Sequence, residues 1–331
     1  MIGKHEGGDM RNISKIVTVI AGMVLATTTF NTPGNAQTIG IGTNPQGSLA
    51  YATGAAIAQV VSDNTELKAR VIPQGGPVVT IPLVNNGELE FSISNAIPLA
   101  FAQSGKAMFK GRPQPGAQMA AAVFNLNVGF FVKKDSPIKS IADLKGKKIS
   151  SEFVKQKNLA LIGRAILATA GLTFDDVLGV PVPNGVRGID DFIAGKIDAG
   201  NFSVTSGKVK QAHAAVGGIR WLPIPDTPEA NAILAKIAPG SFVQLAKPAP
   251  SRPGMEQPTG VFAAPFILVA GANTPDDVVY KVVKAMHANK AGLVASHKAF
   301  NGFQPKAMAP DLGIPIHPGA AKFYKENGIG Q

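Results

Sequence analysis

The chain has 331 residues, 45% of them apolar and 16% charged, with a formal net charge of +11 and no cysteine. Roughly 100–200 residues make a domain, so two domains are expected, and this much apolar surface excludes a disordered, solvating chain. Without cysteine there are no disulfides, thiolate nucleophiles, iron–sulfur clusters or cysteine-based zinc sites; 25 scattered prolines exclude long heptad helices.

The first predicted element is an address. Arg11-Asn12-Ile13-Ser14-Lys15 is a short basic segment, and Ile16 to Phe30 is an apolar run broken only by threonines and one glycine. Asn31-Thr32-Pro33 is turn-prone, and Gly34-Asn35-Ala36 is a small-x-small cleavage pattern. That order is a secretory signal peptide over residues 1–36, with Met10 as an alternative start. The apolar run is shorter than the ~20 residues a membrane span needs. Export to the periplasm and cleavage after Ala36 are therefore expected, leaving a mature chain with a charge of +10.

Beyond the address the chain reads as α/β. Thr38 to Gly42 is a strand, Leu49 to Val61 a helix, and Lys68 to Ile72 a strand. A short helix then opens at Pro77, which suits a first helical position, and closes at Asn86-Gly87, a left-handed cap signal. Leu89, Phe91 and Ile93 alternate with polar residues as a third strand. The same grammar restarts with a strand at Lys147 to Ser151, a helix at Leu159 to Thr169 and a strand at Val177 to Val182. A helix around Ile189 to Ala194 and a strand at Ile197 to Val204 complete it. Leu83–Glu90 and Asp191–Asp198 also share a pattern of helix end, glycine, charge, apolar residue and acid. Repeated β-α-β order implies two mostly parallel sheets with helices on their faces.

Two apolar stretches, Met119 to Lys133 and Gly260 to Gly271, are long enough to pass from one half to the other. Two crossings make two α/β lobes around a cleft, with lobe one at 37–127 plus 262–331 and lobe two at 128–261. Ligands of open α/β sheets lie beyond the carboxyl ends of the strands. Those ends carry 43–48, 74–77 and 94–95 in one lobe, and 151–158, 184–187 and 201–203 in the other. Most are amides, hydroxyls and glycines, which bind ligands and do not make or break bonds.

Ile39-Gly40-Ile41-Gly42-Thr43, the turn to Gly47-Ser48, and Tyr51 resemble the opening of the TAXI solute receptors of TRAP transporters. Gln74-Gly75-Gly76 with Asn86-Gly87-Glu88-Leu89-Glu90-Phe91 is similar to that family's second segment. Ser136 to Lys147 looks like its entry into domain two, Ala170-Gly171-Leu172 like the helix end that follows, and Pro315-Ile316-His317-Pro318-Gly319-Ala320 like its C-terminal signature. The resemblance runs in order through nearly the whole mature chain. It implies a type II periplasmic-binding-protein fold and a receptor that closes on a small organic anion, a carboxylate or amino-acid-like solute, for a TRAP-type membrane permease. The chain departs from the pattern at Asn44-Pro45-Gln46, at Pro82, and at Glu152-Phe153-Val154-Lys155-Gln156-Lys157 where the family has Gly-Ser-Gly.

The candidate ligand residues are Thr43, Asn44, Gln46, Gly47, Ser48, Tyr51, Gln74, Gly75 and Gly76, with Ser94, Asn95, Asn125, Asn127, Arg187, Asn201 and Ser203. Each has a structural rival: Ser48 is a helix N-cap in any reading, Tyr51 suits core packing, the asparagines suit turn caps, and Arg187 suits a surface ion pair. An anion is expected at the amino end of the helix after Ser48, where first-turn N–H groups and the helix dipole favour negative charge. The histidines are scattered without zinc spacing, and neither a Gly-x-Ser-x-Gly elbow nor a nucleotide loop is present. No catalytic residue, metal or cofactor is expected. Basic residues are too dispersed for a nucleic-acid stripe, and a monomer is expected. The alternatives are an ABC-importer binding protein of the same fold, a periplasmic sensor for a receptor kinase, and a periplasmic hydrolase.

Overall fold

The computed structural model describes residues 37–330; the expected signal peptide, residues 1–36, lies outside the described residues. Five elements open the chain as β-α-β-α-β. They are β1 (Thr38–Thr43), α1 (Leu49–Asn64), β2 (Lys68–Pro73), α2 (Pro77–Asn85) and β3 (Phe91–Asn95). Helix α3 (Ala96–Ser104) and the 17-residue strand β4 (Ala117–Lys133) follow. The pattern restarts with β5 (Lys148–Ser151), α4 (Lys157–Ala168), β6 (Leu178–Pro181), α5 (Gly185–Ile193) and β7 (Gly200–Ser203). The remainder comprises α6 (Gly207–Ala215), β8 (Ile219–Trp221), α7 (Pro228–Ile237), β9 (Phe242–Ala246), β10 (Thr259–Gly271), α8 (Asp276–Ala288), α9 (Lys290–Ser296) and α10 (Pro318–Glu326). No described helix is long and apolar enough to cross a membrane.

The two apolar crossings are β4 and β10, and they pair with each other antiparallel along nearly their whole length. Where two separate parallel sheets were expected, these two strands join the lobes into one eight-stranded mixed sheet, with β5 and β6 forming a second, two-stranded sheet. The end of β10 at 266–270 pairs with β3, which leads on to β1 and β2. The other end of β4 pairs with β7 and β8, while the start of β10 pairs with β9. Strands β5 and β6 join this second half through the bridge between Ile149 and Ala199. The result is a curled sheet of two lobes, each a parallel β-α-β-α-β unit closed by an antiparallel crossing strand. Register shifts between Phe266 and Ile267 and between Leu268 and Val269 interrupt the β4–β10 pairing where β10 also pairs with β3.

The shared sequence pattern has a shared structural job. Gly87 after α2 and Gly195 after α5 both take left-handed φ, at 75° and 71°, a conformation that disfavours residues with a Cβ. The acids that follow each then reach back to the first strand of their own lobe. Glu90 Oε2 accepts from Gly40 N at 2.6 Å, and Asp198 Oδ2 accepts from Lys148 N at 2.8 Å. The helices also start where the sequence supplies caps: Ser48 for α1, Asn95 for α3, Asn184 for α5 and Ser206 for α6 accept first-turn N–H groups. Pro82 sits inside α2 without ending it; the helix gives up one hydrogen bond there and stops at Asn85. The strand expected at 197–204 is shorter, because Ile197 and Asp198 are used in the turn that carries the acid.

Aromatic rings fill lobe two, where Phe131 meets Phe192 and Trp221 edge-on at 5.0 Å each. Trp221 Nε1 donates to Pro253 O at 2.8 Å, so the buried indole keeps its one donor satisfied.

His317 opens α10, and its buried Nδ1 accepts from Gly319 N at 3.2 Å. Burial lowers its pKa below the ordinary histidine value, against an opposing pull from Asp276, and burial does the same to His297. Below about pH 6.5 the unfolded chain therefore binds protons that the folded chain refuses, so stability falls as pH drops from there. In urea titrations at pH 7.5 and 5.5, His317→Asn should keep the cap through its amide oxygen and lose less stability on acidification than the unsubstituted protein. An equal loss in both proteins would show that His317 does not contribute to the pH dependence.

Candidate functional site

A small cavity of ≈ 40 Å³ lies where the two lobes meet. Four helices aim their amino ends at it. Ser48 and Leu49 bring the start of α1, Pro77 that of α2, Asn95 that of α3, and Gln156 with Asn158 that of α4. The first N–H groups of a helix have no partner inside the helix, and the aligned peptide dipoles place positive charge there. Leu126 and Val128 of β4, Ile162 of α4, Phe202 of β7 and Phe266 of β10 supply an apolar surround. Among the described residues, no charged side chain lines this cavity.

The lobes touch around it. Lys208 N, at the start of α6, donates to Gly47 O at 3.0 Å. Gly47 holds φ at 90°, so it makes the turn without strain and presents its carbonyl to the other lobe. Gly75 lies so close to Lys155 that a Cβ there would come within 3.0 Å of the Lys155 carbonyl oxygen. Lys208 is anchored by its head as well as its backbone, since its ammonium pairs with Asp190 and donates to Gln211 Oε1 at 2.9 Å.

Two polar atoms of the cavity wall stand out. Asn158 Oδ1 and Ser203 Oγ are buried and have no hydrogen-bond partner in the described structure, and the same holds for Asn201 Oδ1 beside them on β7. A buried polar atom without a partner is costly. All three belong to lobe two, whereas Ser48 Oγ and Asn95 Oδ1 of lobe one already accept from Tyr51 N and Ile97 N. Gln156 Oε1 accepts from Gly185 N at 2.8 Å, which fixes the α4 loop against the start of α5.

The sixteen residues expected from the sequence divide accordingly. Asn44, Ser48, Asn95 and Ser203 line the cavity. Thr43 and Ser94 are buried just behind it, their hydroxyls donating to the carbonyls of Asn44 and Asn95. Gly76 packs on the Asn44 amide, and Gly47 and Gly75 make the lobe contacts. Gln46 is exposed, while Tyr51 and Gln74 are half-buried outside the cavity lining. Asn201 faces α4 near Gly163. Arg187 is at the surface, paired with Asp190 at 3.0 Å and well away from the lining. Asn125 and Asn127 also fall outside it, because Leu126 and Val128 take the cavity face and alternation turns their neighbours to the other side of β4. There Asn125 donates to Gln244 Oε1 at 3.1 Å, and both line a separate cavity with Arg252 and Lys298. Burial lowers the Arg252 pKa.

Gln156 and Asn158 are polar lining residues that the sequence places in the expected ligand segment 151–158 without singling them out. Gln156 lies in the loop that departs from the resembled family, and Asn158 follows it in the first turn of α4. Glu152 and Phe153 of that loop hold positive φ, 60° and 43°, at a cost of roughly 1–2 kcal/mol per residue. Phe153 is fully buried, which offsets the strain and fixes the loop's path into α4.

Residues 41–328 match the sequence model of the NMT1-like family. Among solved structures, the chain is similar to one described as the structure of a periplasmic transporter. Identity is 17% and the TM-score 0.58 over 88% of this chain and 93% of that one. MatC from Rhodopseudomonas palustris with bound malate aligns at 12% identity and a TM-score of 0.53, covering 80% and 89%. At these identities the likeness establishes the two-lobed periplasmic-binding-protein fold.

Proposed function

The chain belongs to the NMT1-like family, and on that premise we propose that it is an extracytoplasmic solute-binding receptor that closes on a small organic anion and delivers it to a membrane transporter. The observation that carries this reading is the convergence of four helix amino ends on a cavity without charged side chains, at a contact between lobes. Backbone donors of this kind hold a carboxylate without a dedicated arginine. The charge of +10 left after cleavage adds a long-range attraction for anions that salt weakens. The lobes are taken as 37–127 with 262–331, and 128–261, so that closure bends β4 and β10 where they pass between lobes, at Val128 and its partner Phe262.

The transporter is assigned to the TRAP type on the resemblance of residues 39–51, 74–91, 136–147 and 315–320 to TAXI receptors, with an ABC importer as the rival. Uptake in reconstituted vesicles separates them, since a TRAP permease runs on an ion gradient and an ABC importer needs ATP. Residues 1–36 assign the protein to the periplasm, and mass spectrometry of exported protein should place its N-terminus near Gln37.

Closure itself is tested by small-angle scattering. A ligand that favours the closed form shifts the population by its differential affinity, so a saturating organic anion should reduce the radius of gyration. An unchanged radius on saturation would contradict closure on the solute.

A further inference from the structure

We propose that the solute is a short hydroxy monocarboxylate of about six non-hydrogen atoms, and neither an amino acid nor a dicarboxylate; this deepens the receptor reading and rests on it. The cavity of ≈ 40 Å³ holds about three waters' worth of space, or ~90 Å³ of liquid volume. That suits a chain of about three carbons, with its hydrocarbon portion against Leu126, Ile162 and Phe202.

Charge decides between the classes of small acid. One carboxylate is matched by the helix amino ends. A second carboxylate, with the carbon that carries it, exceeds the space of a cavity of ≈ 40 Å³, and an ammonium group would have to be buried without an aspartate or glutamate in the lining. Burying an unpaired ion costs far more than the rest of a small ligand can return. The solute therefore carries a single charge, and the charge is negative.

The hydroxyl follows from the part of the wall that lobe two contributes. Asn158 and Ser203 are each 6% exposed, and Asn158 Oδ1 and Ser203 Oγ have no partner. An amide oxygen only accepts, so Asn158 Oδ1 requires a donor, and a carboxylate at neutral pH has none to give. A ligand hydroxyl donates to the amide oxygen and accepts from the serine. An unsubstituted fatty acid of the same length would leave both wall atoms unpaired. The orphan atoms lie in lobe two and most of the helix amino ends in lobe one, so a bifunctional solute bridges the lobes.

The test is titration calorimetry of the exported protein with lactate and glycerate, propionate as the deoxy analogue, alanine and serine as the amino acids, and succinate and malate as the dicarboxylates. Lactate or glycerate should bind at least about tenfold tighter than propionate, the discrimination expected of one buried hydrogen bond to a charged or fixed group, and tighter still than the other classes. Ser203→Ala should remove most of the preference for lactate over propionate, and Asn158→Ala should do the same independently. Equal or tighter binding of an amino acid or a dicarboxylate would overturn the proposal and leave the receptor reading standing, as would variants that weaken lactate and propionate alike. Failure of every organic acid to bind would overturn both.

Discussion

Asn158→Asp should abolish binding of organic anions, weakening it by a factor on the order of 10³, without unfolding the protein. The substitution changes one atom's chemistry at a site that is 6% exposed and already lacks a hydrogen-bond partner. It places a carboxylate at the amino end of α4, where the dipole that had favoured the solute now stabilises the side chain instead. Two like charges about 4 Å apart repel by ~4 kcal/mol at an effective dielectric of about 20, which converts to roughly three powers of ten in affinity. A melting temperature close to that of the unsubstituted protein, measured without ligand, would show that the loss is electrostatic. Retained binding of an anion in this variant would place the solute somewhere other than this cavity.

The largest effect on stability is expected from Gly260→Ala. A Cβ at this position would stand 2.0 Å from Ile224 O, far inside contact distance, and the atom it meets is backbone. Neither side can give way easily. Gly260 lies in β10 between β9 and the strand's pairing with β4, and Ile224 N donates to Gly260 O at 2.9 Å. Relief therefore requires separating a chain segment from the strand that both lobes share, with a cost of about 3 kcal/mol or more. For a chain of this size that lowers the melting temperature by about 6 °C or more. A melting temperature within about 1 °C of the unsubstituted protein would show that the segment around Ile224 is looser than its packing indicates.

The parallel units and the crossings were legible because their signals are local. Gly87 and Gly195 end helices by a rule of backbone sterics, and the acids at Glu90 and Asp198 each stand three residues after that glycine, a repeat visible in the sequence. The candidate site was legible by position along strands more than by side-chain direction. Asn44, Ser48, Asn95 and Ser203 follow from the rule that ligands gather at carboxyl ends of strands and amino ends of helices. Asn125 and Asn127 did not obey it, because which face of a crossing strand looks into the cleft depends on register across β10, set by long-range pairing. Gln156 and Asn158 fell inside the expected ligand segment 151–158 but were not picked out individually. Their loop carries Glu152 and Phe153 in a conformation that glycine usually takes, so the sequence there gave no turn signal. The equivalence of the two lobes could have exposed them, since α4 stands to lobe two as α1 does to lobe one.

Equilibrium titration of the exported protein with a panel of small organic anions, repeated on Asn158→Asp, tests the central claim most directly. The account predicts saturable binding of one anion per protein, strongest at low salt and lost in the variant. Binding only of neutral or cationic solutes, or anion binding untouched by Asn158→Asp, would contradict it.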